Sequence, residues 1–481
     1  MNFGWAKFDD SVYRRCLSGE WIPFFHRKAH CRFPLQLRVG LRKNMHAITI
    51  KSYLLTFASN FGIQCSTVFQ GVMLARILGV DGRGAYAAAL LVPTLYAGIG
   101  LFGTNVALSR YAACEREYSR CFQSALAIGL MSGVLSTLFC CLSLSFLLAD
   151  EPPYVLHLSQ TFIPFILMNH LILDLAAVYQ GLGDFKKFNL IFFSYYPFFL
   201  LGMSVLYLTG AATAGSFIIL TLFCNAVVLI IALAKSRQYL FTEWHFVRLR
   251  PLLRMSLPFG VSGIVQNLIL QVDRFVVLYC LGSEDLGLYV VALSAGSAIG
   301  SVGTAASQVI FSSSARLAEG EGGIYVAGVF RIVTIIYLAA GTGLLFFMPI
   351  LFPLVYGREF DAAVAVACLL IPGAICSSLS NLLEQAIRAQ GVAFKGLFVR
   401  IMSLAVLFGL GRLFCSWWGL IGMGIAYVIA QTIALLLIMG VIARHFKDVK
   451  PTLFFIRFTD IAVLLEFFRK SIYHKIFMRV D

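Results

Sequence analysis

Charged side chains are scarce in this chain. Asp, Glu, Lys and Arg make up 13% of its 481 residues, about half the share of a soluble globular domain. The motifs of several enzyme classes are missing as well. There is no Gly-x4-Gly-Lys-Ser/Thr loop to cradle a nucleotide, which excludes an ATPase on this chain. The 12 cysteines form no Cys-x-x-Cys pair and no cluster with histidine, so metal-ligand spacing is absent. They lie mostly in apolar segments, where cysteine behaves as a small hydrophobe. His157, His170 and His245 share no helix face, and no Ser/His/Asp arrangement has supporting context. Residues 1–47 lack the apolar core and cleavage site of a secretory signal. They are polar and basic, with Asp9, Asp10 and Glu20 as the only acids. These absences point away from catalysis, from metal cofactors and from a soluble protein.

Apolar length is what the chain has in abundance. Hydrophobic residues make up 59% of it and the mean hydropathy is +0.85. Runs of 20 or more apolar residues recur, each enough to cross ~30 Å of hydrocarbon. A β-barrel would show short alternating segments instead. The runs predict twelve spans: 52–78, 84–109, 121–149, 155–182, 188–209, 212–234, 256–281, 287–313, 324–352, 362–389, 396–414 and 418–443. The segment 452–470 mixes Arg457, Asp460, Glu466, Arg469 and Lys470 with Phe, Leu and Ile, the pattern of an interfacial amphipathic helix.

The net charge of +15 is topological here rather than a sign of nucleic-acid binding. Alternate loops hold Arg110, Arg116 and Arg120, then Lys186 and Lys187, then the group from Lys235 to Arg254, then Arg444, Lys447 and Lys450. The intervening loops are mostly acidic. Basic loops stay inside, so both termini are expected in the cytoplasm and the protein in the cytoplasmic membrane. The domains expected are a basic tail (1–47), an N-lobe (48–234), a linker (235–255), a C-lobe (256–445) and an amphipathic tail (446–481).

The second half repeats the first. Leu78-Gly79-x4-Gly84-x-Tyr86 matches Leu281-Gly282-x4-Gly287-x-Tyr289 at an offset of 203 residues. The same offset pairs Gln64 with Asn267, Gln70 with Asp273 and Asn105 with Gln308. Further along, Ile163-Pro164 matches Ile371-Pro372, and Asp174 matches Glu384. Six spans return the chain to its starting side, so the halves have the same topology. They are expected to be two six-helix lobes related by an axis along the membrane normal, with a central cavity.

Polar residues inside spans are costly, which makes their positions informative. Asn267, Gln271 and Arg274 fall on one stripe of span 7, with Asp273 about 100° away. Adjacent residues on a helix do not face each other, so Asp273 and Arg274 are not expected to be simple partners. Asn60, Gln64, Thr67 and Gly71 form the equivalent stripe on span 1. The candidate substrate-binding residues are Arg274, Asp273, Asn267, Gln271, Gln64, Asn60, Asn105, Gln308 and Arg76, and Arg274 is suited to a phosphate. Asp174 on span 4, and Glu384 with Arg388 on span 10, are candidates for coupling to H+ or Na+. Arg331 and Arg400, near span ends, are expected to snorkel.

The stretch 256–289, with Asp273-Arg274 followed by Leu-Gly-x4-Gly-x-Tyr, resembles the seventh-span region of polysaccharide flippases of the O-antigen and capsule type. The segments 75–86, 179–189 and 388–395 resemble other loops of that family. The family belongs to a superfamily with multidrug and toxic compound extrusion transporters. The resemblance implies an all-α polytopic protein of about twelve spans, in two six-helix lobes forming a V and working by alternating access. It implies an undecaprenyl-diphosphate-linked oligosaccharide as cargo, Arg274 and Arg76 as contacts for its diphosphate, and pathway polymerases and glycosyltransferases as partners. With the missing motifs above, no cofactor and no enzyme activity are expected. Competing readings are a cation-coupled exporter of small organic molecules, a membrane glycosyltransferase or ligase, and a scaffold.

Overall fold

A computed structural model describes residues 35–114, 117–240, 242, 249–296, 321–389, 393–446, 451–455, 457 and 460. Inside hydrocarbon a backbone must satisfy its own polar groups, which favours helices. Among the described residues the regular elements are all helical. They are α1 (Leu35–Gly100), α2 (Thr104–Cys114), α3 (Tyr118–Leu147), α4 (Pro153–Phe162), α5 (Pro164–Gly181), α6 (Phe185–Phe193), α7 (Tyr195–Leu208), α8 (Ala214–Leu240), α9 (Leu249–Leu281), α10 (Glu321–Tyr356), α11 (Asp361–Ala389) and α12 (Ala393–His445). Residues 283–296 are helical too.

Nine continuous stretches among the described residues are long and apolar enough to cross a membrane. Two of them are too long for one crossing: Gly62–Gly100 has 39 residues and Phe394–His445 has 52. At about 1.5 Å per residue, both overshoot ~30 Å of hydrocarbon. Each is broken at a glycine outside helical space, Gly79 (φ 65°) and Gly419 (φ 58°). The breaks fall where turns are expected between spans 1 and 2 and between spans 11 and 12. The stretches therefore contain all the expected spans except the eighth, much of which lies outside the described residues. Helix α1 begins at Leu35, inside the expected tail. Leu, Arg, Lys and Gln are good helix formers, so polarity ends the apolar run here without ending the helix.

Packing gathers the described chain into two compact units. The first holds residues up to Thr67, Val92–Ala149 and Leu156–Ile264. Its core joins α3, α5 and α8. The Phe122 ring stacks on Tyr239 at 4.8 Å and tilts against Tyr179 at 4.9 Å. The Tyr179 hydroxyl shares a 3.1 Å hydrogen bond with Ser236. Leu142, Phe146 and Leu208 stay exposed, as befits helices whose solvent is lipid.

The second unit holds Val68–Leu91, Asp150–Val155 and Val265 onward. It brings together the two copies of Leu-Gly-x4-Gly-x-Tyr. The first glycine of each has positive φ, 65° at Gly79 and 90° at Gly282, which a side chain would strain. The second glycine of each is pressed against the other turn: a Cβ on Gly84 would overlap the Ser283 carbonyl, and one on Gly287 would lie 2.6 Å from the Val80 carbonyl oxygen. Tyr289 is buried and donates to Asp273 Oδ2 at 3.1 Å, tying the turn back to α9. Glu151, between α3 and α4, reaches Ser283, and burial pushes its carboxyl above the usual range.

The segment after α12 is clamped to α10. Arg331 does not snorkel: its Nε donates to Asp460 Oδ2 at 2.7 Å, Nη2 to Oδ1 at 3.1 Å and Nη1 to the Leu453 carbonyl at 2.7 Å. Phe330 meets Phe454 edge-on at 5.2 Å. Of the expected amphipathic helix 452–470, the described part is a short 3-10 turn, Pro451–Phe454, and Asp460. The bonds from Arg331 hold the Asp460 carboxyl below its ordinary value of 3.8. A depressed acid stabilises the ionised, folded form, so the clamp's contribution is present above that value and is lost as pH falls below it. Asp460→Asn should cost about 1–3 kcal/mol and speed proteolysis after His445 at pH 7, with the difference from the parent shrinking as pH falls below 3.8. Equal cleavage of parent and variant at pH 7 would remove the clamp.

Candidate functional site

The polar residues expected on α9 begin the site. Arg274 Nη1 donates to Gln271 Oε1 at 3.2 Å, one turn back on the same stripe. Asn267 continues that stripe and is half-buried. The Asp273 side chain faces elsewhere: its Oδ1 accepts from the Arg274 backbone N–H at 2.8 Å and its Oδ2 from Tyr289. The adjacent charges are therefore not side-chain partners, and Asp273 is engaged in holding the turn.

A second guanidinium joins Arg274. Arg83, on the stretch between Gly79 and Gly84, lies 5.6 Å over the Tyr86 ring. Arg274 and Tyr356 both lie close enough to act on its charge. The Nε atoms of Arg83 and Arg274 are buried with no hydrogen-bond partner among the described residues. Ser294 and Tyr356 share a 2.6 Å hydrogen bond. The result is two half-buried cations, each with a buried Nε that has no partner among the described residues, near hydroxyl groups, a setting suited to a multivalent anion. Arg83 falls between the expected spans 52–78 and 84–109 and was not among the candidates. The available signal was the repeat: Arg83 answers to Leu286, as Arg274 answers to Gly71, so each copy supplies one unmatched cation.

Other candidates make contacts elsewhere. Arg76 donates through Nε to the Val355 carbonyl at 2.6 Å and through Nη2 to the Leu354 carbonyl. It satisfies the end of α10, where a cation is also favoured by the helix dipole. Asn105 accepts from the Val106 backbone N–H at 2.8 Å. Thr67 donates to the Ile63 carbonyl and to the Tyr196 hydroxyl, and Gln64 beside it is half-buried. Gln308 and the side chain of Asn60 lie outside the described residues.

Glu384 sits in an ion cluster. Its Oε1 meets Arg388 Nη2 at 2.5 Å and its Oε2 meets Arg400 Nε at 2.7 Å. Arg400 also donates to Asn381 Oδ1. Arg400 is therefore buried and paired rather than snorkelling. Such a cluster ties α11 to α12, and the two cations fit Glu384 better for an ionised structural role than for coupling.

Asp174 on α5 differs from its repeat partner. It is fully buried, and its Oδ1 accepts from Thr104 Oγ1 at 2.9 Å. Oδ2 has no partner among the described residues. Thr104 opens α2 just after a break at 101–103, where Phe102 (φ 41°) and Gly103 (φ 73°) leave helical space. One turn before Asp174, His170 Nδ1 shares a 2.7 Å hydrogen bond with Ser132. Broken helices beside buried polar groups recur at ion sites of transporters, and sequence alone did not point to Thr104 or Ser132.

These assignments separate by mutation. Arg400→Gln strands a buried carboxylate and should destabilise the protein by about 3–5 kcal/mol. Arg388→Gln removes a partner whose side chain is 37% exposed and should cost under about 1 kcal/mol. Thermal unfolding in detergent reads both; equal effects would contradict the cluster's geometry.

Comparison with known proteins agrees with the fold. The inward-closed lipid II flippase MurJ superposes with TM-score 0.68 at 15% identity, over 89% of this chain and 99% of that one. An inward-facing multidrug resistance MATE family transporter of the MOP superfamily gives 0.63 at 14% identity, over 81% and 96%. A MOP superfamily transporter from Pyrococcus furiosus gives 0.55 at 14%, over 81% and 93%. At these identities the likeness is one of fold alone. None of the curated proteins compared matches the chain in sequence. A family model described as "polysaccharide biosynthesis protein" matches residues 73–365, more than half of the chain and including both turn motifs, Arg83, Asp174 and Arg274. The chain belongs to that family of polysaccharide biosynthesis proteins.

Proposed function

We propose that this protein is a flippase that carries a lipid-linked oligosaccharide across the cytoplasmic membrane for polysaccharide assembly. The observation that carries the reading is the Arg83–Arg274 pair, two cations with unused donors among apolar helices. An undecaprenyl diphosphate head group would neutralise both, and its oxygens suit bidentate guanidinium contacts. Ser294, Tyr356 and the Asn267–Gln271 stripe supply hydrogen-bonding groups for the adjoining sugar. The lipid tail stays in the bilayer while the head group crosses, and the cargo leaves chemically unchanged.

Both termini lie in the cytoplasm on this reading, because the basic loops do. Asp174 is the coupling residue, with its free carboxylate oxygen taking H+ or Na+. Glycosyltransferases make the cargo and a polymerase consumes it. An exporter of organic cations is the competing reading. The same arginine pair argues against it, because a cationic drug would meet two like charges.

Translocation of defined lipid-linked oligosaccharides by the reconstituted protein tests the proposal. Arg83→Ala and Arg274→Ala should each slow flipping about 10- to 100-fold, the equivalent of ~1.5–3 kcal/mol for hydrogen bonds to a charged group, with thermal unfolding little changed. Undiminished flipping in both variants, or transport of organic cations in place of the lipid-linked sugar, would sink it. Asp174→Asn should flip at a rate independent of the imposed H+ or Na+ gradient; a retained response would take Asp174 out of the coupling step.

A further inference from the structure

We propose that Cys280 and Cys415 are a disulfide-forming pair at the outer face of the membrane, a site of thiol–disulfide exchange that staples the end of α9 to α12. The proposal takes its orientation from the transporter reading, but it concerns a covalent site that carrying a cargo does not call for.

Three contacts along one seam bring the thiols together. Val276, Tyr279 and Cys280 share a face of α9, at i, i+3 and i+4. Gly411 meets the first of them: a Cβ there would lie 3.6 Å from Val276 Cγ1, so the α12 backbone comes close to α9. Arg412 lies 5.7 Å over the Tyr279 ring. One turn on from Gly411, Cys415 shares a hydrogen bond with Cys280, thiol to thiol. Bridged cysteines need Cα atoms within about 7 Å of each other, and the approach at Gly411 serves that need. Cys415 is buried and Cys280 half-buried. The repeat does not call for a cysteine here, because Cys280 answers to Ile77 at the 203-residue offset.

The neighbours of the pair belong to a membrane boundary rather than to mid-bilayer. Cys280 comes two residues before Gly282, whose φ of 90° turns the chain, and Glu284 and Asp285 follow. Asp285 lies close enough to act on Cys415, and Arg412 brings a charge from the α12 side. Charges of this kind are costly inside hydrocarbon and gather where spans end. Trp417 and Trp418, just past Cys415, meet edge-on at 5.9 Å, and tryptophan favours membrane–water interfaces. Expected spans 7 and 11 are both odd in number, so their ends share one side, the outer side on the orientation adopted above. Disulfides persist there and are reduced in the cytoplasm.

The oxidant is a disulfide, RS–SR, carried by a small thiol or by a donor protein. The Cys280 thiolate attacks one of its sulfurs, forming a mixed disulfide and releasing RS⁻. Cys415 then loses its proton and attacks the Cys280 sulfur, expelling the second RS⁻. Two protein thiols are oxidised, one donor disulfide is reduced, and the two thiol protons end on the two released RSH. The bond holds the end of the helix that carries Asp273 and Arg274 against α12.

Thiol trapping on the full chain tests this. Cells making the protein are quenched in acid, denatured with N-ethylmaleimide, digested without reductant and read by mass spectrometry. A pair of peptides joined through Cys280 and Cys415 should appear, with under about a tenth of either cysteine alkylated, while Cys224, within α8, is alkylated in full. Reduction with dithiothreitol before trapping should free both, and in Cys280→Ser the remaining Cys415 should be alkylated as fully as Cys224. The parent alone decides the matter if that variant does not fold. A parallel arm offers oxidised glutathione to the parent in lipid nanodiscs, where both faces are open, and should give the same joined peptides. Thiols free in cells that bridge in nanodiscs would put the pair on the cytoplasmic side and overturn the outer staple. Thiols free in both arms would overturn the pairing itself. Neither arm uses cargo, so either result stands whatever the flipping assay gives.

Discussion

An ionised side chain among apolar helices must be met by an opposite charge, a dipole or a ligand, since lipid offers it nothing. Much of this structure follows from how its few intramembrane charges are met. Glu384 is met by Arg388 and Arg400, which joins α11 to α12. Arg331 is met by Asp460, which anchors the segment after α12. Arg76 is met by the carbonyls that end α10. Asp273 is met by the Tyr289 hydroxyl and a backbone N–H, which fixes the turn after α9. Each arrangement ties two parts of the chain together.

Nine buried side-chain atoms have no hydrogen-bond partner among the described residues, and three of them matter here: the Nε atoms of Arg83 and Arg274, and the Oδ2 of Asp174. They lie in different units. The basic pair belongs with the two turns, and the acid belongs with the broken α2. In a family of polysaccharide biosynthesis proteins, a basic pair suits an anionic lipid head group. A lone buried carboxylate suits a small cation. On the proposed reading these are separate sites for cargo and ion, the arrangement that coupling by conformational change requires.

Apolar length and the internal repeat made the fold legible in the sequence, because both are written in runs tens of residues long. The site was legible only where polar groups shared a helix, as with Gln271 and Arg274. Arg331 and Arg400 were misread as snorkelling because their partners, Asp460 and Glu384, lie on other segments. Arg83 was missed because a cation near a turn looks solvated until the opposite turn packs over it. The turn motif itself was read only as a mark of the repeat. Its second glycine makes sense only when the other copy, 203 residues away, is seen filling the space beside it.

The central claim is that Arg83 and Arg274 together await a diphosphate. Thermal unfolding in detergent with inorganic pyrophosphate tests it most directly. A ligand at 100 times its Kd stabilises by about 2.7 kcal/mol, so the parent should melt several degrees higher, and the double variant Arg83→Gln, Arg274→Gln should not respond. An equal upward shift in the double variant, or none in the parent at saturating pyrophosphate, would contradict the account.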